Sequence, residues 1–263
     1  MVIVVLVAEV VDVTNFITAS SASQQAFKTA TLLKTLDINA LILGDIGVGK
    51  KSLAQYILPE APILDASNLE ELSTVVESSQ EIIITNLENS PNIKTCINLI
   101  EKNNVRVIAT AKSSFINEHI DELFTLKFSI PPLIERSEDI KLLIEKFIQE
   151  ASLLFGNCET FNFNNFTPDL TKNGISLRRQ VMVSYLLQDI QDSELMDIIQ
   201  NYLFDKLGSN SDYRDFIYLY EAPLINAGLS RFKSQLKLAD RLGLNRNTLR
   251  KKIANNKQYI KGK

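Results

Sequence analysis

Two stretches of this 263-residue chain hold residue types that could do chemistry at a useful spacing. The first is Gly44-Asp45-Ile46-Gly47-Val48-Gly49-Lys50, followed by Lys51 and Ser52. Gly44 and Gly49 bracket four residues, and the run joins the apolar residues 41–43 to a helical pattern. A strand, a glycine-rich turn and a helix are the context of a phosphate-binding loop. Glycines let the amides turn inward around phosphate. The helix N-terminus adds donors and a favourable dipole, and Lys50 would neutralise the outer phosphates. ATP or ADP is the cofactor class this implies. The next position ordinarily carries a Ser or Thr hydroxyl that ligates Mg²⁺. Here it is Lys51, so the loop predicts phosphate cradling without an ordinary Mg²⁺ site. A glycine-rich turn kept for backbone geometry alone is the alternative.

The second stretch is the basic end. Residues 231–263 hold eleven Lys and Arg and one acid, Asp240, a charge of +10 that leaves −13 on the rest of a chain whose total is −3. A compact basic end on an acidic body marks a site for a polyanion, most often nucleic acid. Within it, SQLKLADRLGLNRNTLRKKI at 234–253 places Leu236, Leu238, Ala239 and Leu242 on one helical face. Gly243 ends that helix, Leu244 is a buried turn residue, and Asn245 caps the next. Leu249 and Ile253 face inward there. A helix, a tight turn and a second, basic helix make a helix-turn-helix, whose second helix enters the major groove of double-stranded DNA. Arg246, Asn247 and Arg250 are assigned to base edges, and Thr248, Lys251 and Lys252 to phosphate. A helical hairpin for protein contact is the competing reading.

Hydrolysis would need acids. The buried strand after the loop should end in a carboxylate that holds Mg²⁺ and one that polarises water. Ile82-Ile83-Ile84 instead runs into Thr85-Asn86-Leu87-Glu88, and Glu88 lies beyond the strand end. No catalytic and no metal-ligating residue is assigned. His119, the one histidine, sits among polar residues and reads as surface. Of two cysteines, Cys96 lies on an apolar helical face and Cys158 in a polar connection, which excludes a disulfide scaffold and a four-cysteine zinc site.

The elements that must position these residues alternate. Apolar runs at 2–8, 41–43, 61–66, 81–85, 105–110 and 126–130 read as strands, and helical spacing recurs at 24–35, 68–78 and 93–103. That alternation predicts an α/β fold with a parallel sheet. From residue 138 the strand signal fades into helices at 138–155, about 176–190 and 192–206, with a polar, Asn-rich connection between the first two. LGSNSD at 207–212 is the linker candidate. A helical segment at 213–227 carries more apolar residues than one small core needs, and Pro223 is expected to kink or break it. No apolar run reaches the ~18 residues of a membrane span, and the opening apolar run lacks the basic lead of a signal peptide. A cytoplasmic chain is expected.

GDIGVGK resembles the GESGTGK loop of the NtrC-like (sigma-54-dependent) transcription activators, a branch of the AAA+ ATPases. That family tolerates a residue other than Ser or Thr after the loop lysine. The likeness continues. VRVIAT at 105–110 resembles the family's VRVIAAT strand, PPLIERSEDI at 131–140 its PPLRERxEDI, and NGISLRRQV at 173–181 its GNVREL segment. LGLNRNTLRKKI resembles the family's Fis-type LGINRxTLRKKL. The resemblance covers about residues 17–263. It implies a P-loop AAA+ subdomain at 1–136, a helical lid at 137–207 and an all-α Fis-type helix-turn-helix domain at 213–263. It makes Arg178 the counterpart of the second sensor arginine at the nucleotide, and residues 213–229 a homodimer contact.

The departures from the family are specific. No GAFTGA-like loop separates the second strand from the third, so sigma-54 contact is not expected. Thr85 and Asn86 stand where the acidic pair belongs, Lys112 near the sensor position, and residues 116–126 carry no arginine finger. Loss of such a finger alone lowers rates by roughly 10³–10⁵. Arg136, Glu138 and Asp139 are expected to cap and brace the helix after PPLIER. The sequence therefore describes a DNA-binding regulator with a nucleotide-holding, hydrolysis-deficient module. The alternatives are a working ATPase that uses Glu88 and a nucleotide-free scaffold. No receiver or sensory domain is expected in the short N-terminal stretch.

Overall fold

The computed structural model describes residues 16–156, 161, 166–188 and 190–260. The strand expected at 2–8 and Cys158 lie outside them. The chain divides into two compact units, one up to Ile190 and one from Gln191.

The first unit is a five-stranded sheet between helices. In chain order it contains α1 (Ser21–Leu33), β1 (Ala40–Gly44), α2 (Lys50–Ile57), β2 (Ile63–Asp65), α3 (Leu69–Val76), β3 (Glu81–Thr85), α4 (Ile93–Asn103), β4 (Arg106–Ala111), α5 (Ile120–Leu123) and β5 (Leu126–Ile130). The strand order is β2-β3-β4-β1-β5, and every pairing is parallel. A parallel sheet is covered on both faces, which is why its strands read as continuous apolar runs rather than alternating ones. The pleat sorts the run in β3. Ile82 and Ile84 pack with Leu72, Val76, Cys96 and Ile100 on one face. Ile83 packs with Ala30, Leu33, Leu53 and Ile57 on the other. All three isoleucines are fully buried.

Two long helices follow, α6 (Ser137–Phe155) and α7 (Gly174–Leu186). Ile144 and Phe147 of α6 pack against Leu177 and Val181 of α7, with Leu133 at the base. These helices occupy the stretch expected to form the helical lid.

The second unit is all helical: α8 (Asp192–Phe204), α9 (Asp212–Phe216), α10 (Tyr218–Phe232), α11 (Gln235–Arg241) and α12 (Arg246–Asn255). The sequence placed α8 with the lid; in the structure it falls in the second unit. The expected break at Pro223 is absent, for Pro223 lies inside α10. It is the sixth residue of that helix, so the Leu219 carbonyl is left without its helical donor, and the proline ring faces solvent. The interruption falls at Ile217 instead, between α9 and α10. Ile225, Leu238, Ala239 and Leu249 form the core of this unit. Leu236, assigned to the inward face, is exposed. Leu244 is half-buried.

Candidate nucleotide pocket and nucleic-acid interface

The phosphate loop leaves β1 at Gly44 and enters α2 at Lys50. Gly49 caps the helix at φ 105°, and Gly47 sits at φ 80°, both left-handed conformations that favour glycine. Space excludes a side chain as well. A Cβ on Gly47 would lie 2.3 Å from the Lys172 carbonyl oxygen, and one on Gly49 2.9 Å from the Phe16 ring. The loop is therefore squeezed between the N-terminal segment and the lid.

Lid residues grip its carbonyls. The Gly174 amide donates to the Gly47 carbonyl at 3.0 Å, and Asn173 Nδ2 donates to the Ile46 carbonyl at 2.9 Å. Asn173 is buried, and its Oδ1 accepts from the Leu133 amide at 2.7 Å. One side chain thus ties loop, lid and the 131–136 segment together. The sequence assigned Asn173 no role, although it opens the NGISLRRQV stretch that resembles the family's GNVREL segment.

Arg136 and Asp139 brace the same place from below. The Arg136 guanidinium, 2% exposed, donates from Nη2 to the Val48 carbonyl at 3.0 Å, from Nε to the Pro131 carbonyl at 3.0 Å and from Nη1 to Asp139 Oδ2 at 3.1 Å. Burial pushes its pKa below the usual guanidinium value, against the pull of Asp139. Asp139, fully buried, also accepts from the Ala19 and Ser20 amides and the Ser20 and Ser23 hydroxyls.

A cleft of about 870 Å³ opens over the loop. Its walls include every loop residue from Ile46 to Ser52, with Arg136 and Lys146, and Arg178 from α7. Lys50 Nζ donates to the Gly44 and Asp45 carbonyls at 2.6 and 2.8 Å. Burial lowers the Lys50 pKa, opposed by the charges of Glu88 and Asp45 and reinforced by Lys112. Arg178 lies on the wall, and its guanidinium forms a two-point pair with Glu150, at 2.9 and 2.5 Å.

The strand ends meet the same cleft. Thr85, Asn86 and Thr110 line it, and so does Asp65 at the end of β2. Thr85 Oγ1 donates to the Leu64 carbonyl at 3.0 Å. Asn86 Nδ2 donates to Asp65 Oδ2 at 2.7 Å. Asp65 Oδ1 accepts from the Ser67 hydroxyl and amide at 2.5 and 3.0 Å. The Ser67 bonds, then Asn86, hold its carboxyl below the ordinary range. Glu88 faces Lys112: Oε2 accepts from the Lys112 amide at 3.3 Å, and Oε1 lies 3.8 Å from its ammonium. Asp65 was also missed in the sequence, because it stands on the neighbouring strand. Only the β2–β3 pairing, Asp65 against Thr85, brings it to the site.

In the second unit the turn between α11 and α12 closes as a Schellman motif. The Gly243 amide donates to the Asp240 carbonyl at 3.1 Å and the Leu244 amide to the Ala239 carbonyl at 2.9 Å, with Gly243 at φ 63°. Asn245 Oδ1 caps α12 by accepting from the Thr248 amide at 2.8 Å. Leu249 is buried and anchors the helix. Arg246, Asn247, Arg250 and Lys251 are exposed, and Thr248 is half-buried. Lys252 differs from the sequence assignment. Its ammonium pairs with Glu221 of α10, and Asn256 Nδ2 donates to the other Glu221 oxygen at 3.2 Å. The sequence missed Gly228 too. A Cβ there would fall 2.2 Å from a Leu238 methyl, so this glycine sets how closely α10 and α11 approach.

Residues 219–255 match the Fis family of bacterial regulatory proteins. The chain is 25% identical over 223 residues to the DNA-binding transcriptional regulator NtrC of Azospirillum brasilense, covering 70% of this chain. It spans about half of that protein, 46% of its length. The fold is similar to that of NtrX from Brucella abortus. The ATP complex of NtrX superposes with a TM-score of 0.55 at 17% identity, covering 95% of this chain and 72% of NtrX. The ADP complex gives 0.53 at 18% identity, covering 95% and 71%. The chain is thus an NtrC-like AAA+ fold followed by a Fis-type helix-turn-helix.

Proposed function

We propose that this NtrC-like chain is a cytoplasmic, DNA-binding transcription regulator whose AAA+ module holds ATP or ADP as a ligand and brace rather than as fuel. One observation carries the reading: at the strand end that should supply acids to the phosphate loop, Thr85 and Asn86 present a hydroxyl and an amide already committed to Leu64 and Asp65. Neither group can carry the anionic charge that holds Mg²⁺ or polarises water. Glu88 is engaged by Lys112 and stands in for neither. The phosphate-binding half, by contrast, is intact in glycines, lysine and helix N-terminus.

Double-stranded DNA is the partner of the second unit. Arg246, Asn247 and Arg250 read base edges, while Lys251 and Thr248 hold phosphate. Two copies pair through the 213–229 region and α8. No residue of α8 is buried, and Met196, Ile198, Tyr202 and Phe204 are each about half exposed or more. Apolar exposure on this scale marks a surface for association. Paired units would set two recognition helices about one DNA turn apart. Sigma-54 contact is not part of the proposal.

The experiment is a pair of measurements on the full chain. DNA affinity should fall steeply with salt, because phosphate contacts release counterions. ATP should bind without turnover above background. Turnover abolished by Lys50→Ala would favour the working-ATPase reading, for which Asp65 in the cleft wall is the supporting observation.

A further inference from the structure

We infer that the cleft takes its nucleoside polyphosphate as the free anion, without Mg²⁺, and that Lys51 supplies the positive charge the metal would otherwise bring. The inference rests on the nucleotide reading above and deepens it.

The oxygen donors around the loop do not make a magnesium site. Mg²⁺ demands near-octahedral oxygen ligation and usually takes one or two carboxylates beside the phosphates. The position that should offer a hydroxyl is Lys51, a donor-only cation. Thr85 Oγ1 is directed at the Leu64 carbonyl. Asn86 turns its amide nitrogen to Asp65. Asp65, the carboxylate at the strand ends that reaches the cleft, is held by three donors from Ser67 and Asn86. Among the described residues, no group of three or more His, Cys, Asp or Glu could hold a metal ion.

The charges around the cleft match a bare polyphosphate. Lys50, Lys51, Arg136, Lys146 and Arg178 line it; Arg136 is paired with Asp139 and Arg178 with Glu150, and Asp65 is the other acid of the wall. Lys50 and Lys51 both stand in the first turn of α2, which holds no acid. Cations at a helix N-terminus oppose its dipole. Their presence there is favourable when an anion lies between them and the helix end. Lys51 lines the cleft and its side chain is exposed, so it can swing onto phosphate oxygens. A Ser or Thr would deliver a metal to those oxygens; Lys51 delivers charge and hydrogen bonds directly.

The test is calorimetric titration of the full chain with ATP and with ADP, in Mg²⁺ and in EDTA. The dissociation constants should agree within about threefold across the two buffers, well short of the tenfold per ~1.4 kcal/mol that a lost ionic contact produces. Lys51→Ser should weaken binding in EDTA by about tenfold, the scale of one charged hydrogen bond. Lys257→Ser, in the other unit, should not. A thermal melt of each variant establishes that it is folded. Binding at least tenfold tighter in Mg²⁺ overturns the inference while leaving nucleotide binding in place. If Asp65→Asn also removes that gain, Asp65 is the metal ligand instead. Binding in neither buffer refutes the nucleotide reading itself, and the metal-free mode with it.

Discussion

Replacing Asp139 should cost this protein more stability than any other single charge removal in the α/β unit. Its carboxylate is fully buried and accepts five hydrogen bonds. Two come from backbone amides of the segment entering α1, two from serine hydroxyls and one from Arg136. Asp139→Leu leaves the Arg136 guanidinium buried without its counter-charge and orphans the Ala19 and Ser20 amides. Removing one partner of a buried pair costs about 3–5 kcal/mol. The orphaned amides act on the same few atoms, so their cost overlaps with that figure rather than adding to it. For a unit of this size, each kcal/mol moves the melting temperature by roughly 2–4 °C, so a fall of about 6–20 °C is expected. Calorimetry of the full chain separates the transition of the α/β unit from that of the helical unit. The chain has no tryptophan, so circular dichroism is the second probe. The double variant Arg136→Met with Asp139→Leu should recover much of the loss, because a buried pair replaced by apolar groups is often close to neutral. A single variant that melts within about 2 °C of the parent would refute the reasoning, since under 1 kcal/mol is what a solvent-exposed pair contributes.

Three further outcomes follow from particular side chains. Lys251→Ala should reduce the salt slope of DNA binding by about 0.9, one phosphate contact, whereas Lys252→Ala, whose ammonium pairs with Glu221, should leave the slope unchanged; equal slopes for the two variants would contradict this. Gly228→Ala should destabilise the helical unit by about 1–3 kcal/mol in urea unfolding, overpacking against Leu238 outweighing the gain in helix propensity. The Asp65 carboxyl should titrate by NMR below its ordinary range, and Ser67→Ala should move it back toward that range. Because the folded-state pKa is depressed, its stabilising contribution is present above the unfolded value and lost as pH falls through the folded one.

The sheet and the helix-turn-helix were legible because both rest on local signals. The run at 81–85 is apolar on both faces of a strand, and that alone requires cover on both sides. Gly243 and Asn245 act within their own turn, through a φ of 63° and a bond three residues away. A glycine between two helical patterns and an asparagine before the second are sufficient clues for that. The loop glycines are local in the same sense, since strand, turn and helix are consecutive. Pro223 shows the limit: the sequence puts the interruption at the proline, whereas the structure carries the helix through it and breaks six residues earlier, at Ile217.

What the sequence did not disclose is which opposite group answers each charge and amide. Lys252 sits among basic neighbours in a basic helix, and the sequence reading places it on the outward face with them, against phosphate. Whether it meets DNA is decided by Glu221, thirty-one residues earlier on a helix that crosses α12. The same holds for Arg178 and Glu150, and for Asn86 and Asp65, twenty-eight and twenty-one residues apart. Each pair joins different elements, so no window along the chain contains its geometry. Composition has the same blindness. The body of this protein carries an excess of acids, yet the acid that the strand ends bring to the phosphate cleft stands on β2 rather than at the end of β3, and its oxygens are held by Ser67 and Asn86. A count of charges can say that a cleft is able to balance a polyphosphate; only the pairing of strands decides whether a carboxylate there is free to hold a metal. That distinction is why Lys51, rather than the acidic total, determines the chemistry expected of the phosphate loop.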